Sequence, residues 1–321
     1  MQELVISGTP SEIGMQHGKA LSREIRQVFD IYKKEWRCSD ESIPDKVKGF
    51  KKTLEMYFPH LSEEIKGIAK GAEVAEDFIY AINARTELMP YFSLECTSVG
   101  IKSCAQENSH AIIGQNWDWL DSLRPLTRVA DVRPHDKPRM KMLIEPGMVG
   151  KIGMNDAGVG VCLNFLHTRA PNTDGIPVHV ILRAILESKS YEQAARKVSG
   201  LPRAASANYI IGDKNSTIAS LETTTSSVCI IEPKKGVVTH TNAYSSRGET
   251  CTRQQEFENT LYKHAKLSID AVADSLRNVE AESVFKGGIE TVHTVLLNLS
   301  MQHMMISGGC ANHNFETYEF L

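Results

Sequence analysis

The sequence has no window approaching the ~18 consecutive apolar residues of a membrane-spanning helix, so no membrane partner is expected. It has no Cys-x-x-Cys, no His-Glu-x-x-His and no other His or Cys spacing with a metal-site rationale, so no metal is expected. No Walker-type phosphate loop occurs. Gly150-Lys151-Ile152-Gly153 is a glycine pair near a strand turn rather than a nucleotide loop, and no cofactor is implied. Neither sign of charge dominates: 36 Lys and Arg against 39 Asp and Glu leave a net charge of −3. A basic nucleic-acid-binding field is therefore not expected. The opening Met1-Gln2-Glu3-Leu4-Val5-Ile6-Ser7-Gly8 lacks a basic n-region and a long apolar stretch, so no secretory signal is expected. The seven cysteines (38, 96, 104, 162, 229, 251 and 310) are odd in number and show no paired spacing. That argues for reduced thiols and a cytoplasmic location. There is no internal repeat, low-complexity segment or long linker.

What is present is enough for a large core: 321 residues, 41% hydrophobic, fitting one large domain or two. The first ninety residues read as helical. Glu12–Tyr32 carries Ile13, Ala20, Leu21, Ile25, Val28, Phe29 and Tyr32 near helical period, with Thr9 or Ser11 to cap it. Asp45–Met56, Leu61–Val74 and Glu76–Glu87 follow as helices. Short strands are then expected at Thr97–Lys102, Ala111–Gln115, Thr127–Val132, Lys141–Glu145, Lys151–Asn155 and Gly158–Phe165. Asn155-Asp156-Ala157-Gly158 reads as a hairpin turn between the last two. Helices Val178–Glu187 and Tyr191–Ser199 precede strands Ser206–Gly212, Thr217–Glu222, Ser227–Glu232 and Val237–Thr241. Helices Cys251–Leu261 and Ser268–Val279 then lead to strands Thr291–Leu299, His303–Ser307 and Thr317–Leu321. Strands grouped between helices, without regular alternation, give the class α+β.

The chemistry concentrates in Glu95-Cys96-Thr97-Ser98 and Gly114-Gln115-Asn116-Trp117-Asp118-Trp119. A cysteine stands at the start of a strand and an aspartate 22 residues on, with no histidine partner nearby. A base must then come from elsewhere. An α-amino group, with a pKa of about 7.7–8.0, accepts a proton near neutrality and can activate a thiol. That requires Cys96 to become a chain start by a cut after Glu95. The ordinary reading of any one cysteine is a small buried residue, and Cys162 and Cys229, in apolar strands, are read as core. Cys104 is the main rival for reactivity. Asp118 alone would be an ordinary strand-end acid, but its place between Trp117 and Trp119 favours the wall of a site. His303 and His313 are read as surface residues.

These residues resemble the acyl-coenzyme A:6-aminopenicillanic acid acyltransferase family of N-terminal-nucleophile (Ntn) hydrolases. The resemblance is carried by Glu95-Cys96-Thr97-Ser98, Gln115-Asn116-Trp117-Asp118 and Asn83-Ala84-Arg85-Thr86-Glu87. Gly8–Gly14, Gln16-His17-Gly18, Gly150–Leu166, Ser206–Asp213 and Thr239–Tyr244 extend it over nearly the whole chain. It implies a four-layer αββα sandwich with two antiparallel sheets. It also implies self-cleavage between Glu95 and Cys96. A helical segment 1–95 would stay associated with the catalytic segment 96–321, the two forming one structural domain. Cys96 is then the implied nucleophile and Asp118 the group that orients its amine. Asn242 is the implied oxyanion donor, and Asn164 a second one. Gln115 and Trp117 are implied substrate contacts. Gln115 stands where relatives resembling bile-salt hydrolases carry arginine, which weakens an anionic lipid or bile acid as substrate. The implied activity is transfer or hydrolysis of a small acyl amide or acyl thioester through a Cys96 thioester. A second reading is a non-catalytic scaffold that binds an acyl ligand or a partner.

Overall fold

The computed structural model describes residues 1–89, 96–168, 170–249, 251–279, 289–309 and 314–320. Glu95, Cys310, His313 and the last residue of the expected strand Thr317–Leu321 lie outside the described residues.

The chain opens with a strand that its composition did not suggest, β1 (Glu3–Gly8). It pairs in parallel with β4 (Arg128–Pro134) at the edge of a sheet. The expected first helix is two: α1 (Pro10–Ala20) and α2 (Ser22–Trp36). Leu21, at φ −122° and ψ 25°, leaves the helical region between them. Periodicity alone runs through such a break because both helices keep their apolar faces on the core. Thr9 and Glu12 form a reciprocal capping box at the start of α1. The chain continues through α3 (Ile43–Tyr57) and α4 (Pro59–Ala72). A Cβ on Gly14 would lie 2.0 Å from the Glu64 carbonyl oxygen, so α1 and α4 approach backbone to backbone only because glycine stands there. The stretch expected as one helix at Glu76–Glu87 is split at Ala84 into α5 (Glu76–Asn83) and α6 (Arg85–Leu88).

An eight-stranded sheet follows the order β1, β4, β5 (Met140–Ile144), β6 (Gly153–Asn155), β7 (Gly160–Phe165), β8 (Ala207–Gly212), β9 (Ile218–Thr223) and β10 (Val228–Ile231). A six-stranded sheet follows β11 (Val237–His240), β2 (Thr97–Ile101), β3 (Ile112–Leu120), β12 (Ile289–Asn298), β13 (His303–Gly308) and β14 (Glu316–Glu319). Apart from the β1–β4 pair, all strand pairs are antiparallel. The sheets face each other through β2, β3 and β11 against β7, β8 and β9. Helices α7 (Val178–Leu186) and α8 (Tyr191–Gly200) lie with the N-terminal helices on the outer face of the larger sheet. Helices α9 (Thr252–Leu261) and α10 (Ile269–Arg277) cover the smaller one. This is the expected αββα sandwich.

Side-chain alternation on β2 and β3 divides the two faces. Val99 and Ile101 pack with Phe257 and Leu276 beneath α9 and α10. Gly100, between them in sequence, faces the larger sheet, where a Cβ would come within 2.6 Å of the Ile218 side chain. The Asn155–Gly158 hairpin forms as read, with Gly158 at φ +89°. Cys162 is buried, as read, but Cys229 is exposed. It sits on β10, which among the described residues pairs only with β9 and leaves an open edge, so an apolar strand sequence did not mean a covered strand. His303 is half-buried on β13, with Nε2 3.3 Å from Glu319 of β14. No helix of the described residues is long and apolar enough to cross a membrane.

Candidate active site

Cys96 stands immediately before β2, where the two sheets meet the N-terminal helices, and is 5% exposed. Its N–H donates to Asn242 Oδ1 at 2.5 Å, and its Sγ–H points to the Asp118 carbonyl oxygen at 3.8 Å. Asn164 Nδ2 donates to the Cys96 carbonyl oxygen at 3.1 Å and to the His240 carbonyl oxygen at 3.4 Å. Both hydrogens of that amide are thereby used. Asn164 Oδ1 accepts from Ser98 Oγ and from Asn208 Nδ2, so Asn164, on β7 of the larger sheet, ties the Cys96 and His240 backbone of the smaller sheet to it. Asn242 Nδ2 donates to the Phe165 carbonyl oxygen at 2.7 Å, which leaves a second amide hydrogen.

Strand β3 carries the rest in alternation. Asn116 and Asp118 face the α9–α10 layer, whereas Gln115, Trp117 and Trp119 face inward. Asp118 is fully buried. Its Oδ2 accepts from Arg253 Nη1 at 2.7 Å and its Oδ1 from Thr291 Oγ1 at 2.6 Å. A bulge in β12 between Thr291 and His293 sets that hydroxyl opposite Asp118. Arg253 is itself fixed by the Val279 carbonyl oxygen. Gln115 Oε1 accepts from the Leu163 N–H at 2.6 Å, tying β3 to β7. The structure therefore brings Cys96, Asp118, Asn242, Asn164, Gln115 and Trp117 into one neighbourhood. Cys104, the rival thiol, is exposed in a 3-10 turn outside it.

A small cavity opens beside Cys96, with about 30 Å³ accessible to the centre of a water molecule. Its wall includes Cys96, Gln115, Trp117, Trp119, Arg85 and Lys151, with Leu163, Phe165 and Val178 as apolar parts. Arg253, Arg85 and Lys151 were given no role from the sequence. Arg85 lies in a stretch that carried the resemblance, but nothing local marks Lys151 or Arg253 as site residues. Behind the cavity, Glu145 accepts from Arg85 Nη2 at 3.0 Å, from Lys151 Nζ at 2.6 Å and from the Tyr32 hydroxyl. Lys151 Nζ also lies 3.5 Å from the Trp117 ring centroid, and the Arg85 guanidinium 3.9 Å from that of Trp119.

Burial and charge set the protonation of this neighbourhood. Burial, then the Asp118 negative charge, pushes the Cys96 thiol up to about 12. Burial pulls the Lys151 ammonium down to about 7, with Arg85 adding to the effect and Glu145 opposing it. Burial alone would raise Glu145, but Arg85 and Lys151 overcome it and hold that carboxyl below its usual range. With Cys96 in mid-chain, its nitrogen is an amide and supplies no base. The thiol is thus held protonated.

The family profile described as acyl-coenzyme A:6-aminopenicillanic acid acyl-transferase matches residues 104–303. The chain is 35% identical over 253 residues to the 40 kDa form of acyl-coenzyme A:6-aminopenicillanic-acid-acyltransferase from Emericella nidulans, covering 75% of this chain and 69% of that one. Among solved structures, penicillin V acylase from Agrobacterium tumefaciens superposes with a TM-score of 0.52 at 13% identity, over 70% of this chain and 86% of that one. A mutant conjugated bile acid hydrolase from Clostridium perfringens gives 0.51 at 13% identity, over 70% and 92%. At that identity these two likenesses bear on the fold.

Proposed function

The chain belongs to the acyl-coenzyme A:6-aminopenicillanic acid acyl-transferase family, and from that premise we propose that it is a self-processing cysteine amidohydrolase or acyltransferase. Its substrate is a small acyl amide or acyl thioester. The observation that carries the reading is the enclosure of Cys96 between Asn242, Asp118 and a cavity of its own.

In the uncut chain, Cys96 Sγ attacks the Glu95 carbonyl carbon, and the acyl group moves from nitrogen to sulfur. The shift frees the Cys96 amine, and water then cleaves the thioester, releasing the 1–95 segment and restoring the thiol. That amine takes the proton of the neighbouring thiol, which burial and Asp118 otherwise hold at about 12. The Asp118 charge favours the protonated amine, which offsets its opposing effect on the thiolate. In turnover, Sγ attacks the substrate carbonyl, the ammonium gives its proton to the leaving amine, and water or another amine takes the acyl group from sulfur. Asn242 supplies its second amide hydrogen to the oxyanion, a contact worth ~3 kcal/mol in comparable sites. The 1–95 segment stays in place after the cut because β1 is a strand of the larger sheet and Arg85 is part of the cavity wall.

The test is covalent labelling. An electrophilic acyl mimic incubated with the processed protein is expected to modify Cys96 ahead of the other six cysteines, as read by peptide mapping. Preferential modification of the exposed Cys104, with Cys96 untouched, would move the site. A protein that never cuts and never acylates would instead favour the scaffold reading.

A further inference from the structure

We infer that Glu222 is a positioning residue: it grips the turn that carries Asn242 at both ends and so sets that side chain against Cys96. This rests on Cys96 and Asn242 acting as proposed above.

Strand pairing does not hold Asn242. The last pair between β11 and β2 is His240 with Ser98. Asn242 lies two residues beyond it, ahead of a 3-10 turn at Ser245–Arg247. Its side chain nonetheless meets two fixed partners, the Cys96 N–H at 2.5 Å and the Phe165 carbonyl oxygen at 2.7 Å. A side chain on a turn keeps such distances only where surrounding contacts lock the turn itself.

Glu222 supplies that lock. It stands next to the end of β9, in the larger sheet, and is 3% exposed. On one side of Asn242, the His240 Nε2–H donates to Glu222 Oε1 at 2.7 Å. On the other, the Ser246 N–H donates to Oε1 at 3.2 Å and to Oε2 at 3.1 Å, and the Ser246 hydroxyl donates to Oε2. One carboxylate thus bridges positions 240 and 246 and ties this turn of the smaller sheet to the larger sheet. Burial alone would raise Glu222, but His240 and Ser246 outweigh it and hold the carboxyl below its usual range. An ionised carboxylate has acceptor sites enough for all of these donors.

His240 carries the grip to Asn242. Its ring is fully buried, and Nδ1 faces the Thr241 carbonyl oxygen, in the peptide that joins Thr241 to Asn242. Its own carbonyl oxygen accepts from Asn164 Nδ2 and from Ser98 Oγ, both at 3.4 Å. Ring and main chain are therefore fixed together. Beyond Asn242, the Tyr244 N–H donates to Glu249 at 2.9 Å and the Tyr244 ring carries Arg247 at 3.8 Å. Glu249 and Arg247 are both exposed, and such contacts hold less firmly than a buried charged one. Glu222 is not among the residues that line the cavity beside Cys96, so it acts through Asn242 and not on the reacting atoms.

The experiment measures kcat, KM and melting temperature with one chromogenic amide, in the processed parent and in Glu222→Gln. Glutamine keeps the length and one acceptor but loses the charge and the second oxygen. The kcat is expected to fall roughly tenfold or more, a misplaced oxyanion donor being a partial form of a removed one. KM is expected to stay within about twofold. Asp131→Asn is the control for stability alone. Asp131 is another buried carboxylate of the larger sheet, paired with Arg139 at 2.6 Å, and its loss is expected to lower melting but not kcat. In an Asn242→Ala background, Glu222→Gln is expected to lower kcat by less than about threefold further. Where Asn242→Ala yields no processed protein, the kcat fall set against Asp131→Asn decides. Should Glu222→Gln fail to fold, His240→Gln breaks the same contact from the other side and replaces it. An unchanged kcat, an equal loss in Asp131→Asn, or a full further loss in Asn242→Ala overturns the inference while leaving Cys96 as nucleophile. A parent protein that neither cuts nor acylates at Cys96 would sink the functional reading, and this inference with it.

Discussion

Cys96→Ala is expected to leave the chain whole and to abolish turnover. Alanine has neither the sulfur that would accept the Glu95 acyl group nor the one that would carry the substrate acyl group. No other thiol described stands beside that cavity, since Cys162 is buried in β7 and Cys104 is exposed elsewhere. Cys96→Ser separates the two steps. A hydroxyl can attempt the same shift, so slow cutting is expected, with acyl transfer largely lost because serine is the weaker nucleophile without a stronger base. Cys104→Ala is expected to cut and turn over nearly as the unaltered protein does. The thiol of an uncut chain should also resist alkylation. At a pKa of about 12 its thiolate fraction at pH 8 is on the order of one in ten thousand. Iodoacetamide should therefore react with it slowly at pH 8 and faster as pH rises toward 12. Electrophoresis, rate measurement and alkylation of each variant check these outcomes. A Cys96→Ala protein that still turns over an amide would remove the nucleophile from this account.

Asp118→Asn is expected to lower turnover by roughly a hundredfold or more, the scale of a lost acid–base contribution. The structure makes stability part of the result. Asp118 and Arg253 form a buried pair at 2.7 Å, and breaking such a pair costs about 3–5 kcal/mol. A lower melting temperature is therefore expected. Arg253→Met breaks the same pair from the other side and serves as the comparison. If the carboxylate acts on the Cys96 amine, Asp118→Asn should lose at least about ten times more kcat than Arg253→Met does. The negative charge also raises the Cys96 thiol, so the uncut Asp118→Asn chain should alkylate faster than the uncut parent even as its turnover falls. Equal losses in the two variants, with unchanged alkylation, would make Asp118 a purely structural partner of Arg253.

Most elements were legible because their apolar periods are regular, and β2, β7, α7 and α8 lie within two residues of where the pattern put them. What was missed has physical reasons. β1 is a six-residue edge strand with one apolar side on the core, too short to stand out before a capped helix. Strand β3 runs on to Leu120 because Trp117 and Trp119 alternate inward against Asp118, which the expected end at Gln115 cut off. The exposure of Cys229 follows from β10 having no second neighbouring strand among the described residues, which no local pattern states. Cys96, Asp118 and Gln115 came from two short segments and their resemblance, and the fold brings them together. Arg253 reaches Asp118 across 135 residues, and Lys151 reads as a turn lysine until the fold buries it over Trp117. Long-range charge pairing carries no period and no spacing.

The central claim is the cut that gives Cys96 its free amine, and mass spectrometry of the purified, unlabelled protein under denaturing conditions tests it most directly. Two fragments are expected, with masses equal to residues 1–95 and 96–321, the larger beginning Cys96-Thr97-Ser98, and a single particle holding both under native conditions. A fully active protein that shows only the mass of the whole chain would contradict it.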